Sequence, residues 1–392
     1  MRTPYHETVQ ASAPRGDGVP HLNLLLRERA GMTDLTVLHS AATLALASGK
    51  GCPAHITYFE SGVVGLIQGV TELFPVSSLG HNVLLPALVG GCWARDLNVA
   101  VSESPYLAYI VGLHVATAIA LLIYFWQDWI RIIAGFFTSL RHIARPEPGT
   151  KRWQFRSVDE KMAWMIIFAT VPVGLVGLGF EHAFRVFFGK PIRAAIFLAI
   201  NGLILLAGEK FRRRESVRAD QEIARERELV AAGVQRRTGG ARHAAGHQAE
   251  RAAEVAEGIE ADRRLARRGY WDAVLIGSSQ ILALLAGISR DGVAIVAGMF
   301  RGLSREDAAR FAFLLATPVI LAAGVLKIPD LFGPLGSGIH GQVLFGSILS
   351  GVGAYLSVRF LMKYFQTRTL TPFAIYCLVV GLGSIVYLGL IK

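Results

Sequence analysis

The sequence predicts an all-α integral membrane protein with six transmembrane helices and two re-entrant helical hairpins arranged as an inverted repeat. Of its 392 residues, 52% are hydrophobic and only 18% are charged, and the mean hydropathy is +0.43. A soluble domain of this size needs more charge to cover its surface. The hydrophobic residues also fall in blocks of about 20, as in helices that cross a bilayer. These observations argue against a soluble enzyme, a disulfide scaffold and a disordered protein.

Six blocks are long enough to cross a bilayer as helices. They cover about residues 106–126, 161–181, 192–209, 311–328, 343–362 and 373–391. Two further apolar stretches, about 61–91 and 272–300, are each broken by a polar turn. Irregular backbone at membrane depth is tolerated only where protein or a wet cavity satisfies it. These two stretches are therefore predicted to be re-entrant hairpins that line a site.

Basic loops predict the orientation of the helices. Arginine and lysine are concentrated in the stretches 131–156, 211–268, 301–310 and 363–368, and such loops stay in the cytoplasm. All four lie on one side only if both hairpins re-enter rather than cross, which places both termini outside. The net charge of +11 is therefore interpreted as an orientation signal, and no nucleic-acid partner is expected.

The two hairpin stretches resemble each other at a constant offset of 212 residues. Gly65, Gln68, Leu73, Ser77 and Gly80 correspond in this way to Gly277, Gln280, Leu285, Ser289 and Gly292. An odd number of crossings separates the two copies, so they should enter from opposite faces and meet near the midplane of the bilayer.

Four regions are predicted from this organisation. They are an N-terminal extension at 1–57, a first membrane repeat at 58–209, a charged insert at 210–270 and a second membrane repeat at 271–392. The insert is predicted to be a solvated cytoplasmic segment because it is rich in Arg, Glu and Ala. The three cysteines, Cys52, Cys92 and Cys377, are too few and too scattered to predict a disulfide framework or a metal site.

Ionisable side chains within the hairpins are the candidates for chemistry, because a charge inside a membrane is costly. Gln68 and Glu72 are four residues apart, so one helix face presents both. Glu72 is suited to bind a metal or take a proton, and its alternative role is to neutralise a neighbour such as Arg290. Arg290 has a planar fork of donors that matches phosphate oxygens, so an anion is the predicted ligand.

The polar turn of the first hairpin contains Ser77, Ser78, Gly80 and His81. Its hydroxyl groups, backbone amides and imidazole are suited to surround an anion or a reacting atom. His114, in the first predicted span, is instead interpreted as a hydrogen-bonded structural histidine.

Two long motifs resemble the signatures of the bacterial undecaprenyl pyrophosphate phosphatase family, of the bacitracin-resistance type. The first motif runs from Tyr58 to His81 and ends in QGVTELFPVSSLGH. The second begins with GISRDG at 287–292 and continues to Pro318, and the stretch 169–177 resembles the middle span of the family. The resemblance covers about residues 58–391 apart from the charged insert.

The resemblance implies hydrolysis of undecaprenyl pyrophosphate to undecaprenyl phosphate and inorganic phosphate, which recycles the lipid carrier of cell-wall synthesis. It implies a multi-pass inner-membrane enzyme that takes a lipid pyrophosphate at a site opening toward the periplasm, with Mg²⁺ or Ca²⁺ as cofactor. A homo-oligomer is left open. By motif match, the metal pair is Gln68 and Glu72, the catalytic residues are Glu72, Ser78, His81 and Arg290, and the substrate-binding residues are Ser77, Gly80, Gly287, Ser289 and Arg290.

Two positions depart from the family pattern: Ala286 stands where proline is usual, and Asp291 where serine is usual. A carboxylate beside Arg290 is expected either to weaken the anion site or to add a cation ligand. The residues leave open whether Ser78 or a water molecule attacks the phosphorus, and whether Glu72 or His81 is the base. The alternative functions are a polyprenyl-phosphate transporter built on the same inverted repeat, and a non-catalytic lipid-binding module organised around the insert.

Overall fold

A computed structural model describes residue 52 and residues 56–99, 105–145, 155–231 and 258–390, which belong to one compact unit, Gly51–Lys392. The predicted extension at 1–57 therefore lies almost wholly outside the described residues, as does the middle of the charged insert. The described part of the chain is helical and contains no strand, as the all-α prediction requires.

The helices follow one another in chain order. They are α1 (Tyr58–Thr71), α2 (Ser78–Val89), α3 (Gly91–Asp96), α4 (Pro105–Tyr124), α5 (Trp126–Ala144), α6 (Val158–Phe188), α7 (Pro191–Ala231), α8 (258–266), α9 (Tyr270–Ser279), α10 (Arg290–Phe300), α11 (Arg305–Phe332), α12 (His340–Thr367) and α13 (Thr371–Leu390). Short 3₁₀ turns at Gln280–Leu284 and Pro334–Gly336 follow α9 and α11.

Six of these helices are long and apolar enough to cross a membrane, and each coincides with one predicted block. They are α4, α6, α7, α11, α12 and α13, with a mean hydropathy of 1.5 to 2.2 in their most apolar windows. The protein is therefore a multi-pass membrane protein. Thr117 and Thr317 each donate their hydroxyl to the carbonyl four residues earlier, which satisfies a polar group inside an apolar helix.

The helices of the two hairpin stretches are too short to span a bilayer. The longest, α1, has 14 residues, which corresponds to about 21 Å of helix against a hydrocarbon core of about 30 Å. Each stretch is a helix, an irregular turn and a second helix, as the sequence predicts. Re-entry of these hairpins into the membrane stays a prediction.

The first helix of each hairpin packs against the other half of the protein. The first helix of the first hairpin, α1, packs against α12 of the second half, and its counterpart α9 packs against α6 of the first half. The last spans of the halves, α7 and α13, pack against each other. This reciprocal packing is the arrangement expected of an inverted repeat, and it brings the two polar turns together between the halves.

Two of the three cysteines pair, although their spacing predicted no disulfide framework. Cys52 and Cys92 form a disulfide that joins the segments before and after the first hairpin. Forty residues separate them in sequence, and spacing alone gave no sign that the hairpin returns its end to its beginning. Cys377 is free and buried.

The last described residues of the charged insert form a helix with one buried and one exposed face, and the solvated character of the rest of the insert stays a prediction. In α8, Asp262 and Leu265 are buried against the membrane helices. Asp262 accepts hydrogen bonds from Arg131 of α5 and from Arg310 of α11. These long-range ion pairs hold the end of the insert against the bundle, which no local charge pattern specifies.

Candidate active site

A serine side chain caps the second helix of each hairpin in the same way. Ser77 begins α2 by accepting a hydrogen bond from the Gly80 amide at 3.2 Å, and Ser289 begins α10 by accepting one from the Gly292 amide at 3.1 Å. These residues are offset by 212 positions, so the sequence repeat is also a repeat of helix starts. Ser77 has a φ of 69°, which is rare for a residue other than glycine and marks a sharp turn.

The turns of the two hairpins touch each other through glycine. A side-chain carbon added to Gly80 would lie 2.9 Å from the Cα atom of Gly287. Gly287 itself has a φ of 113°, and an added carbon there would lie 2.3 Å from the carbonyl oxygen of Ala194 in α7. Both positions therefore require glycine for the close approach of the turns.

Glu72 is the centre of the polar cluster at this contact. It follows α1, is only 7% exposed, and receives hydrogen bonds from both hairpins. Its Oε2 atom accepts a short hydrogen bond from the Ser78 hydroxyl. Its Oε1 atom lies 2.5 Å from the Arg290 guanidinium of the second hairpin. The alternative role predicted for Glu72, neutralising Arg290, is thus present in the structure.

Gln68 extends this cluster toward α4. As the spacing of four residues predicts, its Nε2 atom donates to Glu72 at 2.9 Å. Its Oε1 atom accepts from Asn82 at 2.7 Å, and its Nε2 atom also lies 3.3 Å from Nε2 of His114. His114 in turn lies 3.5 Å from Glu72. His114 is hydrogen-bonded as predicted, but it belongs to the site, which its place in an apolar span did not indicate.

His81 does not pair with Ser78. Its Nδ1 atom lies 2.7 Å from the Ser77 carbonyl oxygen, and its Nε2 atom lies 2.7 Å from the hydroxyl of Tyr376 in α13. The Ser78 hydroxyl instead donates to Glu72. Of the two candidate bases that the sequence left open, Glu72 is the one in contact with the serine.

Asn201 of α7 links the two turns, although no sequence motif pointed to it. This fully buried side chain donates to the Pro75 carbonyl at 2.9 Å and accepts from the Ser289 amide at 3.0 Å. A single amide within an otherwise apolar span is the signal that could have found it, because such a group needs partners inside the protein.

Asp291 is fully buried beside Arg290, with 3.7 Å between its Oδ1 atom and the guanidinium Nε. Neither carboxylate oxygen makes a hydrogen bond with the described residues. The structure therefore places a second carboxylate at the start of α10, next to the predicted anion-binding side chain.

The oxygens of the predicted metal pair, Gln68 and Glu72, are hydrogen-bonded within the protein in this structure. Both Glu72 oxygens and the Gln68 carbonyl oxygen already accept hydrogen bonds from protein donors. The positive guanidinium of Arg290 is bound to the same carboxylate. Within the described ranges, no group of three or more His, Cys, Asp or Glu side chains is placed to hold a metal. The partners of the Glu72 carboxylate in this structure are thus Ser78, Gln68 and Arg290, and a cation bound there would have to displace Arg290.

The structure thus brings most of the predicted site residues to one place. Gln68, Glu72, Ser78 and Arg290 form one connected cluster, with Ser77, Gly80, Gly287 and Ser289 shaping the turns beside it. His81 lies on the same turn but faces α13. The cluster combines a hydroxyl group, a carboxylate that contacts it, and a guanidinium, which are groups suited to phosphoryl transfer.

Comparison with known proteins identifies relatives along most of the chain. The family described as "Bacitracin resistance protein BacA" matches residues 61–238 and 239–383. An "Undecaprenyl-diphosphatase" of Mycolicibacterium paratuberculosis is 58% identical over 338 residues, which cover 86% of this chain and 99% of that protein. An "Undecaprenyl-diphosphatase 2" of Frankia alni is 52% identical over 343 residues, covering 83% of this chain and 96% of that protein.

Proposed function

The chain belongs to the bacitracin resistance protein BacA family, and we propose that it hydrolyses undecaprenyl diphosphate to undecaprenyl phosphate and inorganic phosphate. The observation that carries this proposal is the meeting of Glu72, Ser78 and Arg290 between two broken helices in a six-span membrane protein. The relatives are named as diphosphatases, which supports hydrolysis and gives no support to a transporter. The product lipid would return to use as a carrier in cell-wall synthesis.

The charge of the substrate explains why this site lies within the membrane helices. A lipid diphosphate has an apolar tail that stays among lipids and a head with several negative charges, which needs fixed positive groups. Arg290 supplies such a group, and its planar fork suits two phosphate oxygens at once. In the structure the Arg290 guanidinium forms an ion pair with Glu72, so the diphosphate would compete with Glu72 for this guanidinium.

We assign the chemical roles from the hydrogen bonds at Glu72. Glu72 accepts the proton of the Ser78 hydroxyl or of a water molecule at that position, because its carboxylate already binds this hydroxyl. The activated oxygen then attacks the terminal phosphorus in line with the departing lipid phosphate oxygen. The proposal covers both a phosphoserine and direct attack by water. His81 is proposed to move a proton from the side of the site that faces α13.

A purified preparation in detergent tests the function, because detergent leaves no second compartment into which a transporter could move lipid. We expect the wild-type protein to release phosphate from undecaprenyl diphosphate, and Ser78→Ala and Glu72→Gln to lose most of this activity. Ser279→Ala is the matched control, because the Ser279 hydroxyl only binds a carbonyl of its own helix. Lipid binding without phosphate release by the wild-type protein would reject hydrolysis.

We propose a divalent cation, Mg²⁺ or Ca²⁺, as a separate requirement. Gln68 and Glu72 offer the oxygen donors that these ions prefer, and a substrate that draws Arg290 away would free the Glu72 carboxylate. Chelation should then stop phosphate release and the added ion should restore it, with a weaker response in Glu72→Gln than in the wild-type protein. Full activity in chelator would remove the ion from the proposal.

We propose that the site opens toward the periplasmic face. The disulfide between Cys52 and Cys92 lies at the open end of the first hairpin, and disulfides persist in oxidising compartments. The basic loops 131–156 and 301–310 should lie on the other face. Single cysteines placed in these loops, in a background without native cysteines, should resist an impermeant thiol reagent in intact cells, and their labelling would reverse this orientation.

A further inference from the structure

The imidazole of His81 contacts Ser77 of its own turn and Tyr376 of α13, a residue that none of the sequence motifs contains. Its Nδ1 atom lies 2.7 Å from the carbonyl oxygen of Ser77, and a carbonyl oxygen only accepts hydrogen bonds. Nδ1 therefore carries a proton. In the neutral ring Nε2 is then an acceptor, and the Tyr376 hydroxyl at 2.7 Å is its donor.

The ring of Tyr376 fixes the plane of this imidazole as well as its hydrogen bond. The two rings are stacked with 5.7 Å between their centres and an angle of 10° between their planes. The backbone contact at Nδ1, the hydroxyl at Nε2 and the stacked ring together restrict both the tautomer and the rotation of the His81 side chain.

Helix α13 is held at this position by contacts of the next residue. Cys377 is buried, and its Sγ atom lies 3.4 Å from the Asn201 amide and 3.8 Å from the Pro75 carbonyl oxygen. The turn of the first hairpin and the segment of α13 that carries Tyr376 are therefore packed against each other. Tyr376 is thus held beside the hairpin that carries Ser78 and His81.

We propose that Tyr376 is a positioning residue for His81: the Ser77 carbonyl sets the Nδ1–H tautomer, and the Tyr376 hydroxyl holds the ring with Nε2 directed toward α13. This inference rests on the proposed hydrolysis, in which His81 moves a proton. It also explains why His81 is not the base for Ser78: the acceptor nitrogen of His81 is already bound by Tyr376, and the serine hydroxyl is bound by Glu72.

Nitrogen NMR of protein labelled with ¹⁵N-histidine tests the tautomer without any use of activity. The His81 signals are assigned by their loss in His81→Asn. We expect the wild-type ring to be the Nδ1–H tautomer at neutral pH. Tyr376→Phe, which keeps the stacked ring but lacks the hydroxyl, should shift the Nε2 signal of His81 because this nitrogen loses its hydrogen bond, while Nδ1 stays protonated. Tyr387→Phe changes a tyrosine of the same helix and should leave the His81 signals unchanged.

Steady-state hydrolysis gives the second readout. Tyr376→Phe should lower kcat by about 3- to 10-fold, the value of one neutral hydrogen bond, with little change in KM. Unchanged His81 signals and unchanged kcat in Tyr376→Phe would overturn the inference, as would a doubly protonated His81 ring in the wild-type protein. If the wild-type protein does not hydrolyse the diphosphate, the proposed function fails, while the NMR result still decides the contact between Tyr376 and His81.

Discussion

Replacement of Asn201 by alanine should disturb both hairpins at once. This side chain makes one hydrogen bond to the first turn, at the Pro75 carbonyl, and one to the second turn, at the Ser289 amide. Water is excluded from both contacts, since Asn201 is 0% exposed, Ser289 is 2% exposed and Pro75 is buried. The substitution leaves a buried acceptor and a buried donor without their present partner.

The free-energy cost follows from these two groups. Leaving one buried polar group without a partner costs about 1 to 3 kcal/mol, so the loss of two partners in Asn201→Ala should lower the free energy of unfolding by about 2 to 6 kcal/mol. The melting temperature in detergent should fall by roughly 5 to 10 °C. Ser384→Ala is the matched control, because Ser384 is a buried residue of the neighbouring helix α13 and its loss should cost less than about 1 kcal/mol.

Activity should fall further than stability alone explains. Arg290 directly follows Ser289, so a looser Ser289 amide lets the guanidinium move relative to Ser78. A displacement of about 1 Å in a reacting geometry can cost about 100-fold in rate, and we expect kcat/KM for phosphate release to fall by about 10- to 100-fold. Both values are measured on folded, monodisperse protein well below its melting temperature. Parental melting temperature and parental kcat/KM in Asn201→Ala would show that this amide does not hold the turns together.

Three other changes have outcomes that the structure predicts. Arg290→Lys keeps the charge but loses the planar fork of donors, so kcat/KM should fall by roughly 30- to 1000-fold. The double variant Arg290→Ala with Asp291→Ala should stay inactive, because the guanidinium binds Glu72 more closely than Asp291. Recovered activity in the double variant would reject Arg290 as the group that binds the anion. Replacing Cys52 and Cys92 by serine should lower the free energy of unfolding by up to about 4 kcal/mol, which is the chain-entropy value for a loop of this length. A reductant should destabilise the wild-type protein by the same amount and should not change the stability of the serine variant. Burial raises the pKa of Asp128, but the nearby guanidinium groups of Arg310 and Arg131 outweigh burial and hold that pKa below its usual value. The stabilisation from Asp128 should therefore be complete well above its unfolded pKa of about 3.9 and be lost as the pH falls through the lower folded-state pKa. Asp128→Asn should destabilise the protein at about pH 7 and progressively less as the pH falls below about 4, as measured by thermal unfolding.

Patterns within short stretches of the chain were enough to predict the fold class and the local parts of the site. Hydropathy is a property of contiguous residues, so six apolar blocks predicted the six long helices. The contact between Gln68 and Glu72 follows from helical spacing, and the cap at Ser77 lies within one turn of the chain. The offset of 212 residues between the hairpins also predicted that their turns would meet. Helical spacing and caps are local, and the meeting of the turns follows from the internal repeat rather than from any single stretch.

The partner that each polar side chain takes depends instead on the packing of distant helices. The Ser78 hydroxyl pairs with Glu72 rather than with the nearby His81, and His81 pairs with Tyr376, which is 295 residues away. Asn201 forms hydrogen bonds to two turns that lie far from it in sequence. Cys52 bonds to Cys92 because the end of the first hairpin lies beside its beginning. Such partners leave no periodic signal in the chain, because a buried polar group binds whichever donor or acceptor the packing places within reach.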